Sequence, residues 1–542
     1  MNSSPNRNTD IHARTSLTPR EECSTDGTAL VSSAYVDPSD NDLTTFQGAA
    51  LIVADCMGTG ILALPNNMKV LGFFGLFFLV INLPINYYAG DILHKVAKYV
   101  ESRIHVTPGK NARERSGDEY NSVSLQGPAS SNEGSDEWSY DDDSGSARIE
   151  MKQGTETHED EHEDEDHHYY GIDTPHTSDF IGVTYALFDH FVIDRRTDEN
   201  GNTSISTPTM LVTAVYYINI FLVLGNYILV MSHAVAAMLG EENICLPTAG
   251  VIASTLMFAI SQLRTMAMLG RSASVISLLA LAVVVVQCLT EIQMGNDRFS
   301  YENNQQEDAN VENDTMWQSL VSQLAALSSI GFAVGSQKLF LNIRHEFADR
   351  DDSPRSLGIA LFSFGAVYLL VCLLAGPDPP SLLFDAISSG PQRRIAGFLL
   401  WVHVSVSFAI NSQALCSSLD RLKFHRVTIF GLGKRHKTRW AVLTFLVAIS
   451  SYFIANAVPF FKDLVALIGA LTSVPLTLLL PALFHRKVID VPLFWIGSGS
   501  SSDIGSLFLV VFSVIFLVCG VVGSIFSIEM DWASHGPPFA CH

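Results

Sequence analysis

Eleven stretches of this chain are long, apolar and nearly free of charge, and they restrict the folds open to it more than any other feature. A bilayer's hydrocarbon core is about 30 Å thick, and a helix crosses it in about 20 apolar residues. Windows of this kind lie near 47–66, 71–93, 210–236, 247–263, 270–290, 317–341, 357–375, 396–418, 439–458, 462–484 and 506–528. Backbone N–H and C=O groups find no water inside a bilayer, so such runs become helices. The expected fold is an all-α integral membrane protein with 11 transmembrane helices. Its narrowest divisions fall at the short gap 66–70 and at a polar hinge around Lys462 and Asp463.

Charge looks contrary until it is located. The 542 residues hold 33 Lys+Arg and 55 Asp+Glu, a formal net charge of −22 that by itself suggests a soluble acidic protein. Residues 1–46 carry seven acids and three bases, 101–208 carry 25 and eight, and 291–316 carry seven and one. Together these stretches amount to −27, which leaves +5 on everything else. A slightly basic apolar body over 47–530 therefore bears acidic appendages. They include a disordered cytoplasmic tail over 1–46 and a disordered acidic loop over 101–170, inserted between the second and third helices. Each has too few apolar residues to build a core. The His-containing run HEDEHEDEDHHYY in that loop is compatible with weak metal binding or pH sensing, but disorder is the simpler reading. Just before the third span, DFIGVTYALFDHF has the periodicity of an amphipathic helix on the inner membrane surface. An acidic balance argues against nucleic-acid binding. No nucleophile–base constellation or nucleotide-binding glycine loop points to an enzyme.

The N-terminus has no apolar core of a signal peptide, so the first span is expected to direct insertion. If the N-terminus is inside, the short inner loops hold fifteen Lys and Arg, among them Lys338, Arg344, Arg350 and Arg355, against five in the opposing loops. Positive residues are retained on the cytoplasmic side. The C-terminal tail, 531–542, is then outside or luminal, in a plasma membrane or a vacuolar or endolysosomal one. The sequon Asn313-Asp314-Thr315 faces outward and Asn202-Thr203-Ser204 inward. Eight cysteines are scattered, most of them in spans, without the pair spacing of a metal site or disulfide framework. They read as small packing residues.

Two spans are interrupted. The first, AALIVADCMGTGILALP, places Asp55, Gly58, Thr59, Gly60 and Pro65 within eleven residues. Such a run makes a poor continuous helix and a good broken one, whose freed N–H groups and half-helix dipole hold a carboxylate while freed carbonyls hold an ammonium group or cation. The competing reading is a small-x-small surface for helix packing. The sixth span, SQLAALSSIGFAVGSQKLFLNI, repeats the pattern with Ser328, Ser329, Gly331 and Gly335. Interruptions in the first and sixth spans suit a five-plus-five inverted repeat with one extra helix, the substrate lying between two broken helices.

Four segments, GTGILALP, QLRTMAMLGRSASVISLLA, SSIGFAVGSQ and NAVPFFKDLVALIGALTSVPLTLLLPALFH, resemble the amino acid/auxin permease family of the amino acid–polyamine–organocation superfamily. The last is similar in length, proline placement and the turn at Gly469, and the likeness covers roughly 45–95 and 170–530. It implies ion-coupled symport of an amino acid by alternating access. By that resemblance Gly58, Thr59 and Gly60 receive the substrate carboxylate through backbone N–H groups. Ser329, Gly331, Phe332 and Gly335 belong to the interrupted sixth helix, whose carbonyls face the amino group. Asp55 departs from the pattern, because related sodium-coupled members often carry Asn there. A carboxylate at this position can carry a proton, bind a cation or neutralise a cationic substrate.

An acid at the bilayer centre costs about 2.5–3.5 kcal/mol on insertion scales, which makes Asp55 a functional candidate and the only acid expected inside the pathway. His403 of the eighth span is either a proton relay or a packed histidine. Ser405 and Ser407 are candidate cation ligands, although hydroxyls more often bond their own helix backbone. Asn219 and Asn226 share a helical face with Tyr216 and Tyr227 nearby, and either line the path or stitch helices together. The expected partners are an amino acid and the lipid bilayer, with a functional monomer. No cofactor is implied beyond a coupling ion, H+ or Na+. Two other readings stand beside transport: an amino acid sensor on the same fold, and a related-fold carrier of another small solute or a metal ion. The first span lacks the D-P-G-N-type run of the metal carriers.

Overall fold

The computed structural model of the chain describes residues 43–106, 177–190, 206–240, 244–262, 274–310, 316–335, 337–421, 436–492, 501–535, 538–539 and 541. Both sequons, the tail before residue 43 and the acidic loop from residue 107 lie outside the described residues. Every regular element among those described is helical, and one isolated bridge joins Leu43 to Phe347.

Among the described residues eight helices are long and apolar enough to cross a membrane, and up to ten spans result when each of two bent pairs is taken as one. The first pair is α1 (Thr45–Cys56) and α2 (Gly60–Leu71). α3 (Phe73–Val106) follows at once, because Gly72 turns the chain with φ of +59°, a conformation side chains resist. The division expected at 66–70 is therefore helical, and the turn is the single residue 72. Next come α4 (Phe180–Tyr185), α5 (Thr207–Leu239), α6 (Leu246–Ile260) and α7 (Ser274–Asn310). α8 (Met316–Val334) and α9 (Phe340–His345) form the second bent pair, and α10 (Ser353–Leu374), α11 (Pro391–Arg421) and α12 (His436–Ala457) follow. The tenth window runs from α13 (Phe461–Ile468) through two π-helical turns into α14 (Leu480–Val488), and α15 (Ser501–His535) ends the bundle. α6 has 15 residues, fewer than the ~20 that span a bilayer.

Burial separates the helices into two groups. The apolar windows of α5 and of α13–α14 are 83% buried, whereas those of α3, α12 and α15 are 33% buried. Helices of the second group expose Phe73, Phe453, Ile515 and Val518, and α10 exposes Phe362. Apolar surface this extensive on a helical bundle marks contact with lipid. Among the central contacts, α5 packs on α11, α2 on α8, α1 on α10, and α8 also on α13 and α15.

Three expectations are corrected by packing. The segment before the third span is helical, but it does not lie on the membrane surface. All six residues of α4 are buried, with Phe180 against Tyr216 and Phe484. Gly469 does not turn the chain, since its φ of −55° continues the helix, and its Cα lies against the Ser328 carbonyl. Two cysteines are not packing residues, because Cys245 and Cys541 form a disulfide across a sequence separation of 296.

Candidate functional site

The break in the first span is built locally. Thr44 and Gln47 form a capping box that fixes the start of α1. The backbone ladder runs to the Met57 N–H, which bonds the Val53 carbonyl at 2.8 Å, and resumes with Leu62 N–H to the Thr59 carbonyl at 3.2 Å. Between these points the axis bends by 60°. Thr59, Gly60 and Ile61 open α2, where a helix has no internal acceptors for its first N–H groups. Gly60 is required by a close approach: a Cβ there would come within 3.1 Å of Ala333 Cα and Cβ on α8. Gly58 is different, because a Cβ would meet nothing nearer than the Asp55 carbonyl at 3.4 Å and Tyr227 at 3.7 Å. One glycine brings the two broken spans together, and the other leaves space beside a tyrosine.

Asp55 lies in the last turn of α1 and is buried. One carboxylate oxygen accepts from Asn411 Nδ2 of α11 at 3.2 Å, and the other is 3.4 Å from Lys338 Nζ. The Lys338 and Asp55 side chains are 9% and 6% exposed. Lys338 also stands over the Phe332 ring, 5.9 Å from its centroid. Counted from sequence as an inner-loop cation, Lys338 instead occupies a short 3-10 turn, Gln337–Leu339, that opens the second half of the sixth span. That span bends by 41° between Met316–Val334 and Gln337–His345. Asn226 Nδ2 of α5 donates to Thr59 Oγ1 at 2.6 Å, and the Tyr368 hydroxyl of α10 donates to the Cys56 carbonyl at 2.7 Å and to the Ala333 carbonyl at 3.3 Å. Tyr368 thus ties the end of α1 to the end of α8. Chemically, the site offers a carboxylate, an ammonium, the first backbone N–H groups of α2 and an aromatic wall.

The other expected residues are divided by their contacts. Ser329 bonds back to the Ala325 carbonyl at 3.2 Å, the usual fate of a helical hydroxyl. Gly331 faces Val474 and Phe516, so its missing side chain makes room for helix packing, and Gly335 N–H bonds the Phe332 carbonyl at 3.2 Å at the break. Ser405 Oγ lies 3.8 Å from the Met231 sulfur. Ser407 offers its carbonyl to Asn411 at 2.9 Å, while Asn411 itself reaches Asp55. His403 is fully buried against α7, its Nδ1 2.7 Å from Ser277 Oγ and its Nε2 without a partner among the described residues. Of the two asparagines on α5, Asn226 reaches the break, and Asn219 stitches to Thr472 Oγ1 at 2.8 Å.

Lys338, Asn411 and Tyr368 were missed by sequence reasoning. A lysine inside the apolar window 317–341 was a usable signal, as was the polar run Asn411-Ser412-Gln413 inside the eighth span. Tyr368 carried none. Asp179, Asp463 and Asp503 are buried as well as Asp55.

Two broken helices meeting around buried charges are how membrane carriers hold small polar solutes. The family described as "Transmembrane amino acid transporter protein" matches residues 201–526. The match covers more than half of the chain, and the protein belongs to this family: it is a multi-pass membrane transporter of amino acids, and the family is one of transporters rather than enzymes. No curated relative matches the chain.

Proposed function

We propose that the protein is a secondary active symporter that moves an amino acid together with a proton by alternating access. The observation that carries this reading is the buried Asp55–Lys338 pair at 3.4 Å between the two broken spans. Buried charges inside a membrane are costly and mark pathways and relays. An ammonium already stands where a metal cation would have to approach the Asp55 carboxylate, which favours a proton over sodium. The N–H groups of Gly58, Thr59 and Gly60 take the substrate carboxylate. The carbonyls at the end of α8, around Phe332 and Gly335, take its ammonium group.

In this reading α6 completes an eleven-span topology, and the bent pairs α1–α2 and α8–α9 are equivalent parts of a five-plus-five inverted repeat. The Cys245–Cys541 bridge supports an orientation with that end outside or in a lumen, since disulfides persist in oxidising compartments. The N-terminus is then cytoplasmic, in line with the loop charges.

Uptake of labelled amino acids by the full-length protein in liposomes tests the reading. An imposed pH gradient should drive accumulation, and a sodium gradient at constant pH should not. Accumulation that follows sodium alone, or no flux of any amino acid, would overturn it.

A further inference from the structure

Asp463 is a buried acid with no role in the substrate site. It lies in the first turn of α13, and its Oδ1 accepts from Ser527 Oγ of α15 at 2.7 Å. Its Oδ2 is buried with no hydrogen-bond partner among the described residues, and the carboxyl faces that of Asp531. Asp531 pairs with Lys462 at 3.1 Å. Both Asp531 and Lys462 line a cavity of about 310 Å³, together with His233, Asp385 and Phe461.

Two carboxylates in contact in a low-dielectric setting do not both stay ionised. Lys462 stands against Asp531. Of the elements packed on α13, α15 also carries His535 and an exposed Glu529 near Asp531 in sequence. α8 and the turn 469–473 contain no ionisable residue, and the lysine of α2, Lys69, is paired with Asp378. α5 contributes His233 at the cavity wall, and Asp385 across the cavity is held by Arg393 at 3.2 Å. A proton between Asp463 and Asp531 supplies the donor that Asp463 Oδ2 lacks among the described residues.

We infer that Asp463 and Asp531 form a shared-proton carboxyl pair that loads the coupling proton from this cavity. The inference rests on the proton-symport reading and adds a site to it. α13 carries the signal inward because it packs along α8, the first half of the broken sixth span, and Gly469 touches the Ser328 carbonyl. Loss of the proton leaves two carboxylates facing each other, whose repulsion drives α13 and α15 apart and repacks α8.

The test uses the full-length protein in liposomes, with two readings: accumulation driven by a pH step, and counterflow exchange at equal pH. A step of one pH unit supports about tenfold accumulation per proton. Asp463→Asn and Asp531→Asn should keep exchange and lose that tenfold accumulation. Either variant exchanging and accumulating like the wild type overturns the inference. If Asp463→Asn abolishes exchange as well, Asp531→Asn at the cavity wall decides on the same terms. Infrared difference spectra of the purified protein give a readout that needs no transport. A protonated-carboxyl band at neutral pH should vanish in Asp463→Asn, and a wild type without the band overturns the pair. A wild type that exchanges amino acids yet ignores the pH step, with the band present, refutes proton coupling and leaves the pair standing.

Discussion

Breaking the Asp55–Lys338 pair from either side should destabilise the protein far more than removing both charges together. At 3.4 Å, with an effective dielectric near 20, the attraction is about 5 kcal/mol. Desolvating the two ions costs several kcal/mol each, so the pair as a unit comes close to cancelling. Removing one partner leaves the other buried and uncompensated, at a cost of about 3–5 kcal/mol. In Lys338→Met, Asp55 keeps the Asn411 amide at 3.2 Å but no counter-charge among the described residues. In Asp55→Asn, the Lys338 ammonium loses its counter-charge and keeps a neutral amide and the Phe332 face. Each single variant should therefore unfold at a clearly lower temperature in detergent. The double variant Asp55→Asn/Lys338→Met should recover most of the loss. Heating followed by size-exclusion chromatography on all four proteins measures this cycle. Strictly additive losses, within about 0.5 kcal/mol, would show that the two groups are not coupled and refute the reasoning.

The two glycines of the first break should respond differently. Gly60→Ala places a methyl 3.1 Å from Ala333 and should lower both stability and uptake, whereas Gly58→Ala has room and should fold normally. Equal expression and equal thermal stability of both variants would contradict the close approach of α2 to α8. The disulfide gives a test of orientation: in intact cells or sealed organelles, an impermeant thiol reagent on the outer or luminal side should label Cys245 and Cys541 only after reduction. Labelling from the cytoplasmic side would invert the topology.

Much of the fold was legible because a bilayer imposes a local rule. A window of about 20 apolar residues is recognised without knowing its neighbours, and a Gly-x-Gly beside an acid signals a broken helix within a few residues. The bend at 57–59 occurs where such a run stands, and the bend after Val334 falls beside Gly335. The segment at 180–190 was misjudged for the complementary reason. Its periodicity suited a surface helix, and only the packing of Phe180 against Tyr216 and Phe484 reveals that no face is left for the membrane.

By itself, the sequence determined that this is a helical membrane protein, that its charge sits largely in appendages, and that its first and sixth spans are interrupted at glycines. Tertiary structure alone decided what surrounds Asp55 and what Asp463 faces. Asn411 comes from 356 residues away, and Tyr368 reaches the Cys56 carbonyl from 312. The same holds for Cys245 and Cys541, 296 residues apart. Hydropathy is a property of one segment at a time, whereas a charge pair or a disulfide depends on which segments meet, and no local pattern records that meeting.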